Sequence, residues 1–194
     1  MNNNTNYIVS GLERSGTSLM MQILDAGGLS ISYDNSREAD ENNPNGYYEL
    51  YNGKINYKLL NNEIDFNQHK GKFIKITAFG LEYLPKGNYE IIFMERNIEE
   101  ILDSMEKMSP TKINREELKG SLINLRNYIT EDMRKREDVK LIRISYGGLV
   151  SEANSHPDEI DILKKHYPEL DVEKSRNVID RKLYRNRRSN VENK

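Results

Sequence analysis

The stretch YIVSGLERSGTSLMMQIL, Tyr7 to Leu24, decides the fold. With Asn6 in front, NYIVSG is a short apolar run rich in β-formers that stops at Gly11, the pattern of a buried strand. Thr17 and Ser18 are suited to open a helix. That helix carries Leu19, Met20, Ile23 and Leu24 on one face until Gly27 and Gly28 end it. Between strand and helix lies GLERSGTS, Gly11 to Ser18. Such a loop aims several backbone N–H groups at one point, where the helix dipole also favours an anion. Gly11 and Gly16 supply the permissive backbone, and the hydroxyls of Ser15, Thr17 and Ser18 are spaced to meet phosphate oxygens. A plain strand–turn–helix junction is the alternative. Glycine spacing, hydroxyl density and position together favour phosphate.

The loop fits G-x-x-x-x-G-[KT]-S, with Thr17 where loops that bind nucleoside triphosphates carry lysine. Those loops set the lysine on the β- and γ-phosphates and a hydroxyl on Mg²⁺, with a strand-end aspartate behind the metal. Here the cation is Arg14, inside the loop, and the strongest later strand, YEIIFMER, ends in Glu95-Arg96. An arginine-rich, aspartate-poor site suits several phosphates with no metal. A kinase or NTPase built on the same loop is the weaker alternative.

Working outward, LSIS (29–32) reads as a short strand and residues 33–45 as an exposed, turn-rich loop where substrate contacts are expected. YELYNGKINYKLLNN (48–62) reads as a helix, KFIKITAF (72–79) as a strand, and LEYLPKGN (81–88) as a turn. YEIIFMER is continuous and apolar, as a central parallel strand should be. NIEEILDSMEKM (97–108) is an amphipathic helix capped by Asn97, and residues 115–136 form another. VKLIRIS (139–145) is a strand, followed by helices over 146–154 and 157–166. Alternating strands and helices predict an α/β fold, three layers (α/β/α) around a mostly parallel sheet, like that of P-loop NTPases.

At 194 residues the chain is expected to form one domain, 1–194, with 181–194 a basic polar tail. A net charge of −2 argues against general nucleic-acid binding, although the basic tail leaves that as a minor alternative. The chain contains no cysteine, which removes disulfides, thiolate metal sites and cysteine nucleophiles and accords with a reducing cytoplasm, the expected compartment. MNNNTNYIVSG lacks the basic and apolar regions of a secretory signal, and no apolar run is long enough to span a bilayer.

A second anion site is suggested by Arg96, at the carboxyl end of a central strand, and Ser104, two turns into the next helix. By spacing alone, Arg96 is more often a solvated residue or an ion-pair partner. As an ordered pair, however, LERSGTS and RNIEEILDS resemble the sulfotransferases that use 3′-phosphoadenosine 5′-phosphosulfate. NNPNGYYE (42–49), IKITAFGLEYLP, SYGGLVSEA and the closing VIDRKLYRNRR are similar in order and spacing to small bacterial and phage-type members. The likeness extends over nearly the whole chain.

The resemblance implies a fold, a co-substrate and a set of residues. The first loop (Arg14, Ser15, Gly16, Thr17, Ser18) would hold the 5′-phosphosulfate, and Arg96 with Ser104 the ribose 3′-phosphate. It also implies that Arg185 or a neighbour folds back to that phosphate, and that Lys75 helps stabilise the leaving group. No metal is expected. Sulfuryl transfer builds charge on the bridging and leaving oxygens, so Arg14, permanently charged and able to bridge two oxygens, is the expected catalytic cation. Many cytosolic members carry a histidine base two residues after the strand lysine, but this chain has Thr77 there. Glu49 is the candidate base instead, with Glu41 and Glu38 in reserve, and His69, His156 and His166 are expected at the surface. Tyr47 and Tyr48 either line an acceptor pocket or pack on the sheet. The missing histidine also allows a catalytically idle nucleotide-binding module.

Overall fold

The computed structural model of the chain describes residues 1–34, 36–40, 43–109, 111–151 and 158–183. Four parallel strands form one sheet: β1 (Asn6–Gly11), β2 (Phe73–Lys75), β3 (Tyr89–Glu95) and β4 (Val139–Ser145), in the order β2-β1-β3-β4. The helices are α1 (Thr17–Ala26), α2 (Ile55–Leu60), α3 (Ile98–Met108), α4 (Arg115–Lys135), α5 (Tyr146–Val150), α6 (Glu159–His166) and α7 (Val172–Asn177).

β1, β2 and β3 bury both faces, as the apolar runs require, while the edge strand β4 leaves Lys140 and Arg143 exposed. Along β1, Tyr7 and Val9 point into one core with α1, α5 and α6, while Ile8 points into the other with α2, α3 and α4. On β3, Ile92 and Met94 alternate in the same way with Ile91 and Phe93. Period-2 alternation of apolar side chains on both sides is what makes the fold three layers, helices over each face of the sheet.

Some elements depart from the sequence reading. The expected helix over 48–62 is one short turn (Tyr51–Gly53) followed by α2, because Tyr48, Tyr51 and Asn52 adopt left-handed backbone angles. The Tyr51 N–H is drawn off to the Asp34 carboxylate at 2.7 Å. The strand expected over 72–79 pairs only at 73–75; Ile76 adds one more bond to Val9 before the chain coils into a helical turn over Ala78–Tyr83. LSIS makes a single bridge, Ile31 to Phe73, at the sheet edge. The helix expected from Pro157 starts at Glu159, with Asp158 as its cap. α7, capped by Asp171, had no counterpart in the sequence reading. Residues 181–183 form a helical turn at the start of the expected tail; Arg185, Glu41 and His156 lie outside the described residues. His69, expected at the surface, is buried at 8% exposure because the turn Phe66–His69 is anchored by Phe66 on the Tyr89 ring and the imidazole Nδ1 meets the Ser32 hydroxyl at 2.9 Å.

Candidate functional site

The chain leaves β1 toward β2 on one side of the sheet and β3 on the other, so the carboxyl ends of β1 and β3 mark the switch point where open α/β sheets bind ligands. Gly11 pairs with Met94, which sets the loop after β1 directly beside Glu95-Arg96. A cleft of about 370 Å³ opens there, of a size that suits a nucleotide.

Arg14, Gly16, Thr17, Ser18, Glu49, Lys75, Arg96 and Ser104 all line this cleft. Eight of the ten catalytic and cofactor-binding candidates from sequence thus share one cleft; Ser15 is not among its lining residues, and Arg185 is undescribed. The Ser15 side chain is turned inward, 1% exposed, with its hydroxyl against Gly11 and its N–H on the Leu12 carbonyl at 3.1 Å. Ser15 therefore shapes the loop from beneath.

The loop's curl explains its glycines. Gly16 caps α1 with φ 101°, and a Cβ there would sit 2.3 Å from the Tyr146 ring. No side chain caps α1, so its first turn opens into the cleft with the positive end of the helix dipole. Arg14 adopts φ 66°, a left-handed conformation costing a non-glycine residue about 1–3 kcal/mol. Its Nε donates to the Ser104 Oγ at 3.0 Å, and its carbonyl accepts from Arg96 Nη1 at 3.0 Å.

Arg96 is held on several sides. Its Nε pairs with Glu100 at 3.1 Å, both side chains under a tenth exposed, and its guanidinium lies 4.3 Å over the Tyr146 ring. Glu100 and Tyr146 were not picked out from sequence. The four-residue spacing of Arg96 and Glu100 was the available signal for the first; the second is brought in by β4 through tertiary packing alone.

The far wall is a second charged cluster. Lys75, 5% exposed, contacts Glu49 at 2.8 Å and the Ser18 hydroxyl at 3.3 Å, and donates to the Tyr47 carbonyl. Arg37 takes the other Glu49 oxygen at 2.9 Å and stacks 3.6 Å over the Tyr47 ring. Burial pushes the Lys75 ammonium below its ordinary value, with Glu49 opposing. Burial, then the hydrogen bond to Asp40, raises the Tyr47 phenol, which stays protonated as a donor to that carboxylate at 2.8 Å. Tyr48 is pushed up to about 12 by burial and Asp25. Thr77 meets Asn56 Nδ2 at 2.6 Å across the floor. Arg37 lay within the loop marked for substrate contacts, but nothing in that polar segment singled it out.

The basic lining residues are Arg14, Arg37, Lys75, Arg96 and Lys107; the acidic ones are Glu13, Glu49 and Asp180. The balance, with an uncapped helix end, favours an anion. Among the described residues no cluster of three or more His, Asp or Glu is placed to hold a metal, and no helix is long and apolar enough to cross a membrane. No protein-family model and no curated protein matches the chain.

Proposed function

We propose that the protein transfers a sulfuryl group from 3′-phosphoadenosine 5′-phosphosulfate to a hydroxyl or amine acceptor. The observation that carries the reading is the contact between Arg14 and Ser104, which joins the loop after β1 to the helix after β3 in one basic cleft. The co-substrate's two anionic groups would take complementary places there. The uncapped start of α1 and the guanidinium of Arg14 would take the 5′ end. Ser104 and Arg96 would take the 3′-phosphate.

Arg14 would supply the positive charge for the oxygens that gain charge during transfer, with loop amides as fixed donors. Lys75, held beside Ser18, would add charge at the leaving group. Glu49 is the carboxylate on the opposite wall, in place to receive the acceptor's proton; doing so displaces a hydrogen bond from Arg37 or Lys75. Catalysis in this scheme runs on fixed cations and amides.

Calorimetric titration with 3′-phosphoadenosine 5′-phosphate in a chelator, against ATP with Mg²⁺, tests the reading. The bisphosphate binding more tightly supports it. Tighter binding of ATP with Mg²⁺ would transfer the site to a kinase or NTPase.

A further inference from the structure

We propose that Ser104 and Arg96 are positioning residues for Arg14, so that the residues assigned to the ligand's 3′ end also build the grip on its 5′ end. The inference rests on the functional reading above for the identity of the ligand. It adds a role to two residues that the reading treats only as phosphate contacts.

Arg14 stands in a left-handed backbone conformation, where an arginine does not settle unaided. Two contacts fix it, and both come from the chain that follows β3. Arg96 Nη1 holds the Arg14 carbonyl at 3.0 Å, which fixes the backbone, and Ser104 Oγ accepts from Arg14 Nε at 3.0 Å, which fixes the guanidinium. These supports are themselves rigid. Arg96 is clamped by Glu100 and the Tyr146 ring, and Ser104 is 6% exposed on a helix whose Ile101 and Leu102 are packed in the core. The ring that carries Arg96 also abuts Gly16, the cap of α1. One rigid unit thus supports both the loop's cation and its helix end.

The chemistry of the hydroxyl lets both roles coexist. Ser104 Oγ accepts from Arg14 through a lone pair and keeps its own O–H to donate to a phosphate. A 3′-phosphate that engages this hydroxyl therefore touches the group that orients Arg14.

Adenosine 5′-phosphosulfate, which has the 5′ end but no 3′-phosphate, separates the two roles. Calorimetry is run with it and with 3′-phosphoadenosine 5′-phosphate on wild type, Ser104→Ala, Arg96→Lys, Arg14→Ala and the Arg14→Ala/Ser104→Ala double variant. The expected result is that Ser104→Ala and Arg96→Lys each weaken adenosine 5′-phosphosulfate binding by about tenfold. In the Arg14→Ala background, removing Ser104 should cost that ligand nothing further. If both variants bind it as wild type does and lose affinity only for the bisphosphate, the positioning role is overturned and the functional reading stands. If wild type binds neither ligand, both fall. Arg96→Lys keeps the charge and gives up the fork and the stack on Tyr146, and Ser104→Ala removes only the hydroxyl; a thermal melt of each variant, with a cooperative transition, shows that the titrated protein is folded.

Discussion

The guanidinium of Arg14 and the hydroxyl of Ser104 meet at 3.0 Å across 90 residues of sequence. The meeting follows from topology. β1 and β3 are parallel neighbours in register from Asn6–Tyr89 to Gly11–Met94, so the segments that leave their carboxyl ends turn out over the same edge. A cation from one segment and a hydroxyl from the other then face one cleft.

Gly16→Ala should damage the loop more than its small size suggests. A Cβ at that position meets the Tyr146 ring at 2.3 Å, and φ 101° is strained for any side chain. The expected cost is about 1–3 kcal/mol in urea unfolding. The anion site should weaken as well, since relief comes from moving Tyr146 off Arg96. Unchanged stability and unchanged bisphosphate binding would contradict the packing described for this turn.

Glu49 and Lys75 should respond unequally to removal. Glu49→Ala leaves the Lys75 ammonium, 5% exposed, with only the Ser18 hydroxyl and the Tyr47 carbonyl. Its expected cost is about 3–5 kcal/mol. Lys75→Met leaves Glu49 still paired with Arg37 and should cost about 1 kcal/mol or less. Thermal or denaturant melts of the two variants decide the matter, and equal losses would show that Arg37 gives Glu49 no independent support.

Buried His69 should make stability fall in mild acid. Burial, then Lys72, lowers its pKa below the ordinary 6.5, against a smaller opposing effect of Asp65. Between the folded and unfolded values the unfolded chain binds more protons, so stability is full above the unfolded value and declines as pH drops below about 6.5. His69→Asn should flatten that part of the stability profile in urea melts. His166, also lowered by burial, is common to both proteins and cancels in the comparison. An identical acid slope in the variant would remove His69 as its source.

Arg115 ties α4 to α3. Its guanidinium reaches Glu99, Asp103 and Glu106 at 2.7 Å each, three carboxylates along one face of α3. Arg115→Ala should lower stability by about 1–2 kcal/mol. Added salt should recover part of the loss by screening the carboxylates from one another. A loss that salt leaves unchanged would mean the side chain acts by packing.

Much of this architecture was legible because local pattern and burial agree. β1 and β3 are nearly continuous apolar runs, β4 alternates apolar residues with Lys140 and Arg143 as a half-exposed edge strand does, and α3 and α4 carry caps, at Asn97 and Asn114, that bond the first turn. Residues 48–62 misled because helical composition there is overridden by left-handed turns at Tyr48, Tyr51 and Asn52 and by the pull of Asp34 on a backbone N–H. The loop cation and the Arg96–Ser104 pair were visible as spacing after strands. Tyr146, Arg37 and the inward turn of Ser15 were not, since each depends on what the fold sets opposite it. His69 was misjudged because its neighbours in QHKGK, Gln68, Lys70 and Lys72, are exposed as their polarity suggests, while the imidazole alone turns inward to Ser32.

The most direct measurement is a crystal structure of the protein soaked or grown with 3′-phosphoadenosine 5′-phosphate. The account predicts one nucleotide spanning the cleft, its 5′-phosphate against the first turn of α1 beside Arg14 and its 3′-phosphate on the Ser104 hydroxyl. A nucleotide bound away from these two strand ends, or one whose 3′-phosphate points away from α3, would contradict it.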